Sequence, residues 1–283
     1  MKTYKSIKFI IAFSIAILMS YACTDDFEEL NTQSNLVTED LIDVNLLLTR
    51  VQVRSIKEET PNGTGTIGNY SGMSYSSANR PFQEGDSPGV WNNSYTRYTN
   101  NLSEIIRLTK DDPELVNKKA IARIMKVWAF AKVTDTYGDI PYFQSSLPQE
   151  DAIYNPTYDT QKSIYEDFFM ELKAAASEMD ASKESYGAAD LVYGGDVDKW
   201  RKFANSLRLR LALRLRYVDK QMAIDNMSDL QEADLILSRE DDANMFTSTD
   251  NQDNNNSNYV RVLNSGSSLT KRGIGQEIVN NMI

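Results

Sequence analysis

The stretch from Ile121 to Phe143, IARIMKVWAFAKVTDTYGDIPYF, constrains the fold more tightly than any other part of the chain. Ile121, Ile124, Trp128 and Ala131 recur at spacings of three and four, and Met125 and Val127 widen the apolar stripe, so the spacing predicts a helix. Gly138 stops it, because glycine can take the left-handed backbone conformation of a C-terminal cap. Pro141 fixes its own φ and pushes Ile140 into an extended conformation. The pattern is a helix docked against a structured loop, with Trp128 expected in the packed core.

Several other segments carry the same period. Thr38 and Asp40 can cap a helix running to about Glu59, with Leu41, Val44, Leu47, Leu48 and Val51 on one face. Ser87-Pro88 reads as the N-cap and first residue of another, along which Trp91, Tyr95, Tyr98, Leu102 and Ile105 follow at helical spacing. Asp112 and Pro113 open the helix of the central stretch after a tight link, so the two helices should pair antiparallel. Tyr158-Asp159-Thr160 caps a helix striped by Ile164, Phe168, Leu172, Ala175 and Met179. Trp200, Phe203, Leu207, Leu211 and Leu215 mark the next, and Ile274, Ile278 and Met282 one still running at the last residue. Leu207 to Arg216, LRLRLALRLR, alternates as a strand would. Leucine, arginine and alanine are strong helix formers, however, and the flanking aromatics keep helical spacing. The segment therefore reads as a buried helix whose Arg208, Arg210, Arg214 and Arg216 need carboxylate or carbonyl partners. The fold class is mainly α: paired antiparallel helices with long loops, over residues 38–283.

Two absences exclude much chemistry. The chain has no histidine, so no Ser-His-Asp triad, Cys-His pair or His-ligated zinc can form. Its one cysteine, Cys23, allows neither an intrachain disulfide nor a thiolate cluster. Gly63 to Gly68 matches GxGxxG, but a helix precedes it where a dinucleotide site needs a strand. Asp253 to Asn264 begins like a calcium loop and lacks both its turn glycine and its closing glutamate. No catalytic residue, metal or cofactor is expected. A carboxylate-based glycoside hydrolase is the enzymatic alternative, since 40 acidic residues could supply such a pair; a scaffold binding only protein is another.

Residues 1–22 read as an export signal. Lys2, Lys5 and Lys8 precede an apolar run, Phe9 to Met19, that is too short to span a bilayer. Ala22-Cys23 at its end resembles a bacterial lipobox, in which the cysteine is acylated and becomes the first residue, so Cys23 is the expected lipid attachment site. Tyr21 is larger than the small residue usual there. Removing the signal takes away three of 30 basic residues and none of 40 acidic ones, moving the net charge from −10 to −13. That balance gives no grip on nucleic acid or anionic lipid. Asp25, Asp26, Glu28 and Glu29 make residues 23–37 an acidic tether.

The loop from Ser71 to Val90 carries Tyr75, Asn79, Arg80 and Asp86 and ends beside Trp91. Flat aromatic faces flanked by amide, guanidinium and carboxylate groups suit stacking and hydrogen bonding to sugars. Long loops in compact domains are often functional. Trp91 belongs equally to its helix's apolar stripe, which is the ordinary setting for such a residue.

Three of these stretches together carry a resemblance. Tyr137-Gly138-Asp139-Ile140-Pro141-Tyr142 after an aromatic helix, YDTQKSIYEDFFMEL from Tyr158, and WRKFANSLRLRLALRLR from Trp200 resemble, in this order, sequences of the SusD/RagB-like family. These are cell-surface nutrient-binding lipoproteins of outer-membrane glycan-uptake systems. The resemblance covers roughly residues 24–283 and only the N-terminal part of the family's usual length. It implies a tetratricopeptide-like helical scaffold, and a lipid-anchored, outward-facing protein that captures oligosaccharide or another nutrient. The implied partner is a TonB-dependent outer-membrane transporter. It also implies that the acidic tether serves as a surface-export signal.

Overall fold

The computed structural model describes residues 41–58, 72–73, 88–147, 151–246 and 272–273. The elements discussed here all lie within the compact unit Val44–Ile283. Helix α1 spans Val44–Glu58, α2 Pro88–Asn93, α3 Asn100–Thr109, α4 Val116–Tyr137, α5 Gln161–Glu178, α6 Val197–Arg214 and α7 Lys220–Asp225. A two-residue antiparallel pair joins Gly72–Met73 to Arg272–Gly273. The fold is mainly α, as the sequence predicts.

The capping expectations hold where they fall on described residues. The Asp112 side chain accepts from the Glu114 N–H at 2.8 Å, and Pro113 opens a 3₁₀ turn leading into α4. Thr160 caps α5 through the Ser163 N–H. Pro88 opens α2. The first helix begins later than expected, at Val44, and Leu41 before it is exposed. Leu48 and Val51 carry its buried face. Thr38, Asp40, the GxGxxG stretch, Asp253 to Asn264 and the expected helix through Ile274 lie outside the described residues.

Neighbouring helices run antiparallel, which polar contacts between their ends make plain. Asn117, at the start of α4, donates to the Asp180 carbonyl just past the end of α5 at 2.7 Å. Gln161, opening α5, donates to the Thr134 carbonyl near the end of α4 at 2.7 Å. Arg201, near the start of α6, donates to the Met179 carbonyl beyond α5 at 3.0 Å. Between these ends lies one apolar core in which Phe130, Phe168, Ile121, Ile124, Ile164, Leu172, Leu211 and Trp200 are almost wholly buried. Truncating any one of these to alanine should cost about 2–5 kcal/mol.

Two expectations need correction. Trp128 is only partly buried at the core's edge, with the Lys132 ammonium 3.3 Å from its ring centre; a cation over the ring face replaces apolar packing there. The alternating segment is helical through Arg214 but not buried on every side, since Leu213 is exposed. Its arginines settle differently. Arg208 is buried, donates to the Asn226 carbonyl at 3.0 Å and pairs with Asp229. Arg214 meets Asp135 at 3.1 Å, and Arg216 lies over the Tyr217 ring.

Between α2 and α3 the helical rod continues without a break through a π turn, Ser94–Thr99, whose flanking residues keep right-handed helical dihedrals. A π turn holds about one extra residue, which rotates what precedes it. Tyr98, Leu102 and Ile105 accordingly share one buried face, while Trp91 and Tyr95 are only partly buried.

The end of α4 is set by Gly138, at φ 79° and ψ −121°. The φ is positive, as a glycine stop requires, but the ψ lies outside the left-handed helical region. Only glycine adopts that combination readily. Nothing lies within 4 Å of a Cβ added at Gly138, so substitution there tests backbone strain alone. Gly138→Ala is expected to lower the unfolding free energy by about 1–3 kcal/mol in chemical denaturation. Gly89→Ala, at an ordinary φ in α2 with an ordinary 3.8 Å contact to Asn93, should leave it unchanged or raise it by up to about 1 kcal/mol.

Candidate functional site

The loop after α4 and the segment before α5 are clamped to each other. Ile140 N–H donates to the Asp159 carbonyl at 3.2 Å and Asp159 N–H to the Ile140 carbonyl at 2.9 Å, an antiparallel bridge made possible by the extended Ile140. The Asp159 carboxylate then accepts from the Tyr142 and Phe143 N–H groups, each at 2.9 Å, through Oδ2. Asp139 Oδ1 accepts from the Gln161 N–H at 2.9 Å. Gln144 Oε1 accepts from the Thr157 N–H at 2.9 Å. A third element joins through Tyr95, whose hydroxyl donates to the Pro141 carbonyl at 2.6 Å.

This clamp gathers aromatic rings from three parts of the chain. Trp91 lies 5.2 Å from Tyr137, edge to face, and 6.4 Å from Tyr158, nearly parallel at 28°. Tyr95 is 4.9 Å away, tilted by 46°. Trp91 and Tyr95 root the cluster in the core, whereas Tyr137 is 37% exposed and Tyr158 65% exposed. The result is an aromatic shelf open to solvent.

Its polar groups are few and fixed. Burial raises the Tyr95 phenol above its ordinary pKa, reinforced by Tyr158 and Asp159. Burial also raises that of Tyr137, and a hydrogen bond from the Trp91 backbone offsets part of the rise. Both phenols therefore stay neutral in physiological conditions. Asp139 and Asp159 each use one carboxylate oxygen on backbone N–H groups, and the other oxygen has no partner among the described residues. Flat apolar rings bordered by hydrogen-bond acceptors can stack on a sugar and take its hydroxyl protons. No group of three or more metal-ligating side chains occurs among the described residues.

Of the residues singled out in the sequence, Trp91 lies at the centre of this cluster and is partly buried. Tyr75, Asn79, Arg80, Asp86 and Cys23 lie outside the described residues. Sequence reasoning missed Tyr137, Tyr158 and Asp159 as site residues. Both tyrosines stood in quoted motifs, but as a helix stop and a helix cap. The available signal was that each aromatic borders a turn and not an apolar stripe.

Comparison with known proteins decides the family. The profile of a family described as "Starch-binding associating with outer membrane", SusD-like, matches residues 33–283. The chain belongs to the SusD-like family. Its description is of a binding protein associated with the outer membrane, not of an enzyme. No curated protein matches the chain. Among solved structures, it is similar to a chitin-binding protein at 27% identity and TM-score 0.71, over 85% of this chain and 52% of that one. A SusD-like protein from Bacteroidetes matches at 27% identity and TM-score 0.69, over 80% and 46%. A SusD homologue from Bacteroides uniformis matches at 28% identity and TM-score 0.65, over 82% and 50%. The chain thus spans about half the length of these SusD-like structures. No helix among the described residues is long and apolar enough to cross a membrane.

The clamp generates a specific expectation. Asp159→Ala removes the acceptor of two backbone N–H groups, and should cost about 1–3 kcal/mol of stability by denaturant titration. Tyr158→Ala, which removes a mostly exposed ring, should stay within about 1 kcal/mol of the unaltered chain.

Proposed function

We infer that this chain is part of a surface lipoprotein that captures oligosaccharide on the shelf formed by Trp91, Tyr137 and Tyr158. The carrying observation is the shelf itself: exposed rings at fixed angles, bordered by half-used carboxylates. The family's starch-binding description and the likeness to a chitin-binding protein support an oligosaccharide as the ligand. The loop with Tyr75, Asn79, Arg80 and Asp86 leads into α2 next to Trp91 in sequence, and would add amide, guanidinium and carboxylate contacts. Cys23, acylated, would tether the protein through residues 23–37 to the outer membrane, facing the exterior. More than one acyl chain is needed for stable anchoring, and a triacylated cysteine supplies them. The captured ligand would pass to a TonB-dependent transporter.

Binding without turnover fits the chemistry. With no histidine in the chain, the commonest general base is missing, and Asp139 and Asp159 serve as struts for backbone N–H groups. Stacking on an open surface should give an affinity in the micromolar to millimolar range, about −8 to −4 kcal/mol.

Calorimetry with starch and chitin oligosaccharides tests this on the full chain. Saturable binding to one of them is expected, with Tyr158→Ala weakening it at least tenfold at an unchanged melting temperature. Chromatography of the same mixtures should show intact glycan. Unaltered binding in Tyr158→Ala would place the ligand elsewhere, and released product would replace capture with catalysis. For the anchor, a fatty-acid analogue should label the unaltered chain in cells and not Cys23→Ser.

A further inference from the structure

On α3, α4 and α5 a second concavity, about 420 Å³ in volume, is lined by charged side chains. Lys110 is mostly exposed, 3.9 Å from Asp111, and the other charges fall into two groups. Arg123 is held by two carboxylates: Nε and Nη2 donate to Glu171 at 2.7 and 3.1 Å, and Nη1 to Glu178 at 2.7 Å. Lys119 meets the remaining Glu178 oxygen at 3.1 Å. Those four charges are paired with one another.

Lys126 and Asp167 are different. The Lys126 ammonium lines the groove with no hydrogen bond or ion pair among the described residues, and only the through-space field of Glu171 and Asp167 offsets its burial. Asp167 accepts from the Tyr142 hydroxyl at 2.5 Å through Oδ2, and its Oδ1 has no partner among the described residues. Burial lowers the pKa of Lys126 and raises that of Asp167. Each charge is thus held in the groove against a desolvation penalty that an incoming partner would relieve. Phe143, 51% exposed, supplies an apolar wall.

We propose that this groove is a subsite for an acidic sugar, with Lys126 receiving its carboxylate and Asp167 accepting a hydroxyl. The pairing selects against simpler ligands. A neutral sugar leaves the lysine unpartnered, and a bare inorganic anion meets Asp167 and Glu171 with nothing to offer them. A ring that carries a carboxylate beside hydroxyl groups satisfies both, and its C–H face can lie on Phe143. The subsite rests on the reading of the chain as an oligosaccharide binder. The two are connected by short chain: the Tyr142 and Phe143 N–H groups hang from Asp159, next to Tyr158 of the shelf.

The test uses the full chain and four probes in calorimetry: a trigalacturonate, its methyl ester, a neutral chitin trisaccharide and inorganic sulfate. The trigalacturonate should bind at least tenfold more tightly than its ester and than sulfate. Lys126→Met should abolish that preference while leaving neutral-glycan binding and the melting temperature as they are. Tyr158→Ala should weaken neutral-glycan binding instead. Equal affinity for acid and ester, equal affinity for acid and sulfate, or an acid preference that survives Lys126→Met would overturn the subsite while the shelf stands. Failure of every oligosaccharide to bind would overturn both. Should Lys126→Met fail to fold, Lys126→Gln replaces it, with the same loss of the preference expected, since a neutral amide offers the carboxylate no charge.

Discussion

Two backbone hydrogen bonds exchanged between Ile140 and Asp159 determine where the aromatic shelf of this protein lies. They join a loop that leaves one core helix to a segment that opens the next, and so fix Tyr137 and Tyr158 on either side of the same seam. The bridge depends on residues with little freedom. Gly138 turns the chain at a positive φ, Pro141 holds the strand-like course, and the Asp159 side chain locks the two N–H groups that follow. Tyr95 reaches from a third segment to the Pro141 carbonyl and brings Trp91 with it. An aromatic shelf arises because backbone groups that could not stay unpaired near the core found partners across the seam.

The helical stripes of α4 and α5 were legible in the sequence because burial follows period directly. Ile121, Ile124, Ile164, Phe168 and Leu172 are all within the core. The caps at Asp112 and Thr160 were legible for a local reason, since a side chain three residues away or less makes the bond. What escaped were relations between distant segments. Nothing local says that Asp159 pairs with Ile140, and therefore nothing local says that Tyr158 stands beside Trp91. The π turn was equally invisible, as the Trp91 to Ile105 spacing reads as one unbroken stripe. Trp128 failed because a nearby lysine can cover an aromatic face that apolar neighbours would otherwise fill.

Charge shows a similar division. The chain is acidic overall, at −10, yet several basic side chains of the helical body tie segments together: Arg123 with Glu171 and Glu178, Arg208 with Asp229, Arg214 with Asp135. In partly buried pairs of this kind desolvation opposes the Coulombic gain, so they add little stability. Of the alternating arginines near Leu211, Arg208 and Arg214 thus tie the helix to other segments.

Hydrogen–deuterium exchange on the full chain, with and without whichever starch or chitin oligosaccharide binds it, bears most directly on the seam as the ligand site. The Ile140, Tyr142, Phe143 and Asp159 N–H groups are hydrogen-bonded and should exchange slowly in the free protein. Saturating ligand should slow exchange further in peptides covering 137–143 and 158–161. Protection confined to other peptides, with this seam unchanged at saturation, would contradict the assignment.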